Sequence, residues 1–184
     1  MRITNMALGN SIYTSNAHLV RGNWNALADK NTLVDTGRDP VVLANLEQAA
    51  TGVGKPRVEQ VVLTHNHYDH IGMLQAVRER YRPMVYAFSP HLSGVDRILR
   101  DGDWLLLGDS WFEAIHVPCH SQDSVCLYHP GEGVLFSGDI SLQSHRDASN
   151  RSCDCGELAD ELLQRWIHKI YPGHGGEYIP AWQG

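Results

Sequence analysis

The chain has 184 residues, 42% of them hydrophobic, which is enough to bury one sizeable core and too little for two ordinary domains joined by a linker, so a single domain over residues 1–184 is expected. A formal net charge of −6, with only 15 Lys and Arg scattered along the sequence, excludes a phosphate-backbone partner and with it nucleic acid. No apolar run reaches the ~18 residues of a membrane span and the first residues do not read as a secretion signal, so the expectation is a cytoplasmic protein without a membrane partner.

Taken in chain order, residues 3–37 read as a β meander whose apolar runs are punctuated by Asn and Gly and close on Thr32-Leu33-Val34-Asp35-Thr36-Gly37. A helix is predicted from about Pro40 to Ala50, because Pro suits a first helical turn and Val42, Leu43, Leu46 and Ala50 share a face. Val61-Val62-Leu63 reads as a short buried strand. Ile71, Leu74, Val77 and Tyr81 then recur at helical spacing, which makes the run from Thr64 to His70 a tight strand-to-helix turn. Strands follow near Met84 to Phe88, Trp104 to Leu107, Trp111 to Val117, Val125 to His129 and Val134 to Phe136. The polar stretch from Gln143 to Asp154 reads as one long loop near an active site. A helix from about Glu157 to His168 precedes a last strand at Lys169 to Tyr171.

Five of these apolar runs end in a turn carrying polar residues: Asp35, the His65 to His70 cluster, His120, Asp139 and His174. In open α/β architectures such strand ends line the ligand crevice, so these residues are expected to converge. His65, His67 and Asp69 alternate, so a locally extended turn aims them to one side while His70 points elsewhere, and one segment can serve two metals. Imidazole and carboxylate are the ligands expected for zinc, or for iron and manganese. A lone histidine is ordinarily a satisfied core or surface residue. A His-x-His-x-Asp-His run followed by three further ligands at strand ends is instead read as a metal site.

His65-x-His67-x-Asp69-His70, His116-Val117-Pro118-Cys119-His120, Gly138-Asp139 and Pro172-Gly173-His174-Gly175 resemble, in order and over nearly the whole chain, the motifs of the metallo-β-lactamase superfamily. The resemblance implies an α/β protein with a four-layer αβ/βα sandwich and a site at one edge of its two sheets. It implies His65, His67 and His120 on a first metal, Asp69, His70 and His174 on a second, Asp139 bridging the two, and Asp35 supporting the ligands from behind. Two divalent ions ~3.5–4 Å apart, zinc foremost and iron or manganese as alternatives, lower the pKa of water towards ~7. The implied reaction is hydroxide attack on the carbonyl of a small ester, thioester or lactone, with Asp69 as the catalytic group that orients the nucleophile and carries its proton.

The remaining candidates read more plainly. His116 alternates with Ile115 and Val117 inside a strand and is expected to be structural, as are His18, His91, His129, His145 and His168. Cys119 is expected to fill the turn before His120, and Asp123 to be solvated. Cys126, Cys153 and Cys155, like Cys119, are expected as free thiols without a disulfide, although Cys153 and Cys155 leave open a redox pair or a metal site shared across a homodimer. Asn66, Tyr68 and Trp24 are rim candidates, with packing the ordinary role for an aromatic residue in a meander. Glyoxalase II, whose ligand set this one resembles, carries a further helical domain that helps hold its glutathione thioester. Only ten residues follow His174 here, which leaves a glutathione substrate open. A β-lactamase is disfavoured because those relatives generally lack His70 or the bridging acid. The alternatives are a mononuclear iron persulfide dioxygenase and a non-hydrolytic metal-containing sensor.

Overall fold

The computed structural model describes residues 1–24, 27–142 and 156–181. Among the described residues there are eleven strands: β1 (Arg2–Asn5), β2 (His18–Arg21), β3 (Thr32–Val34), β4 (Gln60–Val62), β5 (Met84–Ala87), β6 (Arg97–Ile98), β7 (Trp104–Leu107), β8 (Ser110–His116), β9 (Val125–His129), β10 (Val134–Gly138) and β11 (Lys169–Pro172). The described helices are α1 (Val41–Gln48), α2 (Tyr68–Ile71), α3 (Leu74–Tyr81) and α4 (Gly156–Leu163). The strands form two mixed sheets, ordered β1-β2-β3-β4-β5-β6 and β11-β10-β9-β8-β7. The first is antiparallel from β1 to β3 and parallel from β3 to β6. The second is antiparallel except for the parallel β10 and β11.

The period-two alternation of each strand sorts its side chains between layers. On β3, β4 and β5, Leu33, Val61 and Val85 face the helices, where they pack with Val42 and Leu46 of α1 and Leu74 and Val77 of α3. Their neighbours Val34, Val62 and Tyr86 face the other sheet and meet Phe112, Leu127 and Phe136. The second sheet turns Cys126, Tyr128, Leu135 and Ile170 outward against Leu162 and Ile167. Both sheets are thus covered on both faces, the helix–sheet–sheet–helix sandwich expected.

Most elements fall where the sequence places them, with differences that matter for the site. The stretch expected as one helix after the histidine cluster is two, because Gly72 and Met73 separate α2 from α3. Gly72 leaves no room for a side chain: a Cβ there would stand 2.5 Å from Arg38 Cβ. β6 was not expected; its two residues are exposed and carry no apolar pattern. Trp24 is 90% exposed instead of packed, and it follows the end of β2 that runs away from the crevice. The loop from Gln143 to Asp154 falls outside the described residues, and with it His145 and Cys153, as does Cys155. No helix among the described residues is long and apolar enough to cross a membrane.

Candidate metal centre

All the expected ligands leave the same edge of the sandwich, at the C-terminal ends of β4, β10 and β11 and in the turn after β8. His65 and His67 follow β4, His67 in extended backbone at φ −67° and ψ 143°, and the His67 carbonyl accepts from His70 N (3.0 Å) and Ile71 N (3.2 Å). Asp69 and His70 therefore ride on the helical turn α2, which corrects the expectation of extended alternation through Asp69. The helical turn, not strand alternation, separates His70 from its neighbours. His120 sits in a turn closed by Val117 N to Ser124 O (2.9 Å). Asp139 and His174 follow β10 and β11, whose register shifts between Phe136 and Gly138.

Three donor groups form, each with its ligand atoms within 4.8 Å of one another: His65, His67 and His120; His65, His70 and Asp139; Asp69, His70 and His174. His67 Nδ1 lies 2.9 Å from His120 Nε2, and His174 Nε2 lies 3.1 Å from Asp69 Oδ2. Asp139 stands between the groups, with Oδ1 3.1 Å from His70 Nε2 and Oδ2 3.6 Å from His120 Nε2 and 3.5 Å from His174 Nε2. A cleft of about 390 Å³, lined in part by His120, Asp139, Ile140, His174 and Tyr178, opens beside them.

A buried carboxylate orders the imidazoles from behind. Asp35, held at φ +57°, accepts from Thr64 N (2.8 Å) and Thr64 Oγ1 (2.8 Å) and faces His70 Nδ1 at 2.8 Å. A carboxylate only accepts, so His70 Nδ1 carries a hydrogen; the Thr64 hydroxyl, having donated to Asp35, accepts from His65 Nδ1 at 3.1 Å. Both rings thus turn a hydrogen-free Nε2 toward the crevice once His70 is neutral. Nε2 of His65, Nε2 of His70 and Oδ1 of Asp139 are buried and make no well-directed hydrogen bond among the described residues, the last two meeting each other at 3.1 Å. An orphaned buried polar atom costs about 1–3 kcal/mol, and imidazole nitrogens with a carboxylate are the donors that zinc, iron and manganese take. The residues fit divalent cations.

The electrostatics agree. Burial pushes the His65 pKa down to about 4, leaving a neutral ring, and also lowers His120. Burial opposes charge on His70 too, but Asp35 and Asp139 more than offset it and raise its pKa to about 10. His174 is raised by its contact with Asp139. Burial favours the neutral form of Asp139, yet His174 and His70 hold its carboxyl far below the ordinary range. The cluster therefore keeps Asp139 charged and holds protons on His70 and His174, where cations would take their place.

The other expectations divide. His116 is structural: its ring stacks on Phe88 (centroids 3.8 Å, 6° between planes) and Nε2 meets Gln122 O at 2.9 Å. Asp123 is not merely solvated, since it accepts from Ser121 Oγ at 2.8 Å. Asn66 and Tyr68 are exposed. Cys119 is disulfide-bonded, which corrects both the expectation of no disulfide and that of a free thiol in the turn. That expectation followed from the assumed compartment, whereas a bridge depends on which sulfurs the folded turn brings together. Cys126 is a free, buried thiol.

Sequence reasoning gave Gly173 a place in a motif but no role, whereas a Cβ there would stand 2.1 Å from Asp139 Oδ1 and 2.7 Å from His70 Cε1. It also missed Thr64, whose place beside His65 was a signal, and Asn16, whose side chain donates to Pro172 O (2.9 Å) and Gly175 O (2.8 Å) and fixes the turn around His174.

A profile of the metallo-beta-lactamase superfamily matches residues 12–177. A probable hydroxyacylglutathione hydrolase of Schizosaccharomyces pombe is 32% identical over 125 residues, 64% of this chain and 48% of that protein. The chain thus spans about half the length of that relative. An acyl-coenzyme A thioesterase of Gallus gallus is 25% identical over 205 residues, covering 87% of this chain and 72% of that one. Among solved structures, TTHA1623 in a di-iron-bound form superposes with a TM-score of 0.70 at 22% identity, over 97% of this chain and 94% of that one, a likeness of fold. With its ordered motifs, its two covered sheets and the donors gathered at their shared edge, the chain belongs to the metallo-beta-lactamase superfamily.

Proposed function

We propose that the protein is a metal-dependent hydrolase with a dinuclear centre that cleaves a small ester, thioester or lactone. The observation that carries this reading is the convergence of three buried ligand atoms, His65 Nε2, His70 Nε2 and Asp139 Oδ1, none with a well-directed hydrogen bond among the described residues, between two flanking donor groups. His65, His67 and His120 would hold one cation, and Asp69, His70 and His174 the other. Asp139 would lie between them, as the placement of its oxygens supports. Bound there, the cations would polarise a carbonyl and bring the pKa of water towards neutrality.

The chain's own residues do the rest. Asp35 and Thr64 fix the His65 and His70 rings, so the donors are oriented before a cation arrives. Asp69, whose Oδ2 lies 3.1 Å from His174 Nε2, would take the proton of attacking water and return it to the leaving group. Relatives whose names include hydroxyacylglutathione hydrolase and acyl-coenzyme A thioesterase support a thioester among these substrates.

The test is metal analysis of the purified protein together with a panel of esters, thioesters and lactones. Two zinc, iron or manganese ions per chain and turnover abolished by chelation are expected. One iron per chain with oxygen consumption would establish the dioxygenase alternative instead, and full loading without turnover would establish a sensor.

A further inference from the structure

Tyr13 is 66% exposed, yet its ring stacks on the His174 imidazole, with centroids 5.0 Å apart and 16° between planes. Its hydroxyl stands 3.2 Å from His174 Nε2. That nitrogen faces Asp69 and Asp139, so the phenol lies on the donor-facing side of the ring. The loop is fastened on both flanks of Tyr13. Before it, Asp39 Oδ2 accepts from Ser11 N (2.7 Å) and Ile12 N (3.1 Å). After it, Thr14 Oγ1 accepts from Arg38 N (2.7 Å), Ser15 N donates to Asp69 O (3.2 Å) and Asn16 N to Gly173 O (2.7 Å). The last two bonds end on a ligand candidate and on the residue before one, which fixes the phenol relative to the centre.

A nitrogen whose lone pair is taken up by a cation no longer accepts a hydrogen bond, so with His174 engaged the phenolic hydrogen is released to another acceptor. The acceptor that chemistry brings to that side is the oxygen of a substrate carbonyl. A donor fixed in advance stabilises such an oxygen most as negative charge builds on it, because no reorganisation is then needed. We infer that Tyr13 is a catalytic residue whose hydroxyl donates a hydrogen bond to the substrate's carbonyl oxygen as it becomes an oxyanion; this rests on the hydrolase reading above. No bond to Tyr13 forms or breaks, and its proton stays on the phenol.

The test compares Tyr13→Phe with the parent, both zinc-loaded. Three quantities are read: metal content, kinetics on S-phenyl thioacetate, and affinity for phenylphosphonate as a tetrahedral oxyanion mimic, measured by calorimetry. Expected are unchanged metal content, a kcat lower by about 10-fold to 100-fold with little change in KM, and phenylphosphonate binding weaker by about 10-fold. Unchanged kcat and phosphonate affinity would overturn the inference, and so would a loss of activity that merely follows a loss of metal, since Tyr13 would then only position His174. If the parent hydrolyses nothing on the panel, the hydrolase reading fails separately. The phosphonate comparison then still decides whether Tyr13 donates to an oxyanion: a drop upholds it and equal affinity overturns it.

Discussion

Asp35→Asn isolates the support behind the ligands, because Asn tolerates the left-handed backbone at this position and nearly matches Asp in volume. The oxygen that replaces Oδ1 still accepts from Thr64 N. The amide nitrogen that replaces Oδ2 instead presents hydrogens to His70 Nδ1, which already carries one. His70 can relieve the clash only by moving its hydrogen to Nε2, the atom the centre needs bare, or by giving up the contact. Both sites are buried, Asp35 at 3% exposure and His70 at 0%. A lost charge-assisted hydrogen bond there is worth about 1.5–3 kcal/mol. That corresponds to metal affinity lower by about 10-fold to 100-fold, the range seen when such supporting carboxylates are removed elsewhere. The group formed by Asp69, His70 and His174 should be hit hardest, since His70 meets Asp35 directly whereas the hydrogen-bond link from Asp35 to His65 runs through Thr64. Competition titration with a chromogenic chelator near neutral pH reads the two affinities, and circular dichroism checks the fold. Affinities within about twofold of the parent in a folded variant would refute the reasoning.

Gly173→Ala should displace Asp139 and His70 together and cut the occupancy of both metals, because a Cβ at this position overlaps Asp139 Oδ1; metal analysis showing two ions would count against it. His18, buried between Phe136 and Tyr171, has its pKa pushed from 6.5 down to about 4 by burial. The unfolded chain therefore takes up this proton first, and stability present above pH 6.5 is lost by about 1.4 kcal/mol per pH unit as the pH falls toward about 4. His65 acts in the same direction, so the difference between parent and His18→Leu melting curves isolates His18, and parallel curves would refute the assignment. Iodoacetamide should label Cys119 only after reduction and Cys126, whose thiol burial pushes up to about 12, only after unfolding; labelling of Cys119 without reductant would contradict the bridge.

The centre was legible in the sequence because most of its donors ride within a few residues of apolar strand ends, so their spacing survives folding. Strand β7 matches its expected span for the same reason: Trp104 to Leu107 is a compact apolar run between polar turns. The parts that escaped have no such local signature. The exposed pair of β6 has no apolar alternation, and Asp69 joins a helix through backbone bonds to His67 that a two-residue period does not reveal. Gly173 acts through the space it leaves, Asn16 through carbonyls 156 and 159 positions away, and Tyr13 through a stacking partner 161 positions away. These are properties of the assembled tertiary structure.

His65, His67, Asp69 and His70 belong to the first sheet's half of the sandwich, whereas His120, Asp139 and His174 belong to the second. Cations held by both sets would add a tie between two halves that also meet through the apolar seam of Val34, Val62, Phe112, Leu127 and Phe136 and through hydrogen bonds such as those of Asn16 to Pro172 O and Gly175 O. Their affinity would then include the free energy of docking one half on the other. Damage to that seam, far from any ligand, would leak metal, and chelation would let the seam open more often. Retention of the ions would thus report on how tightly the whole sandwich is closed.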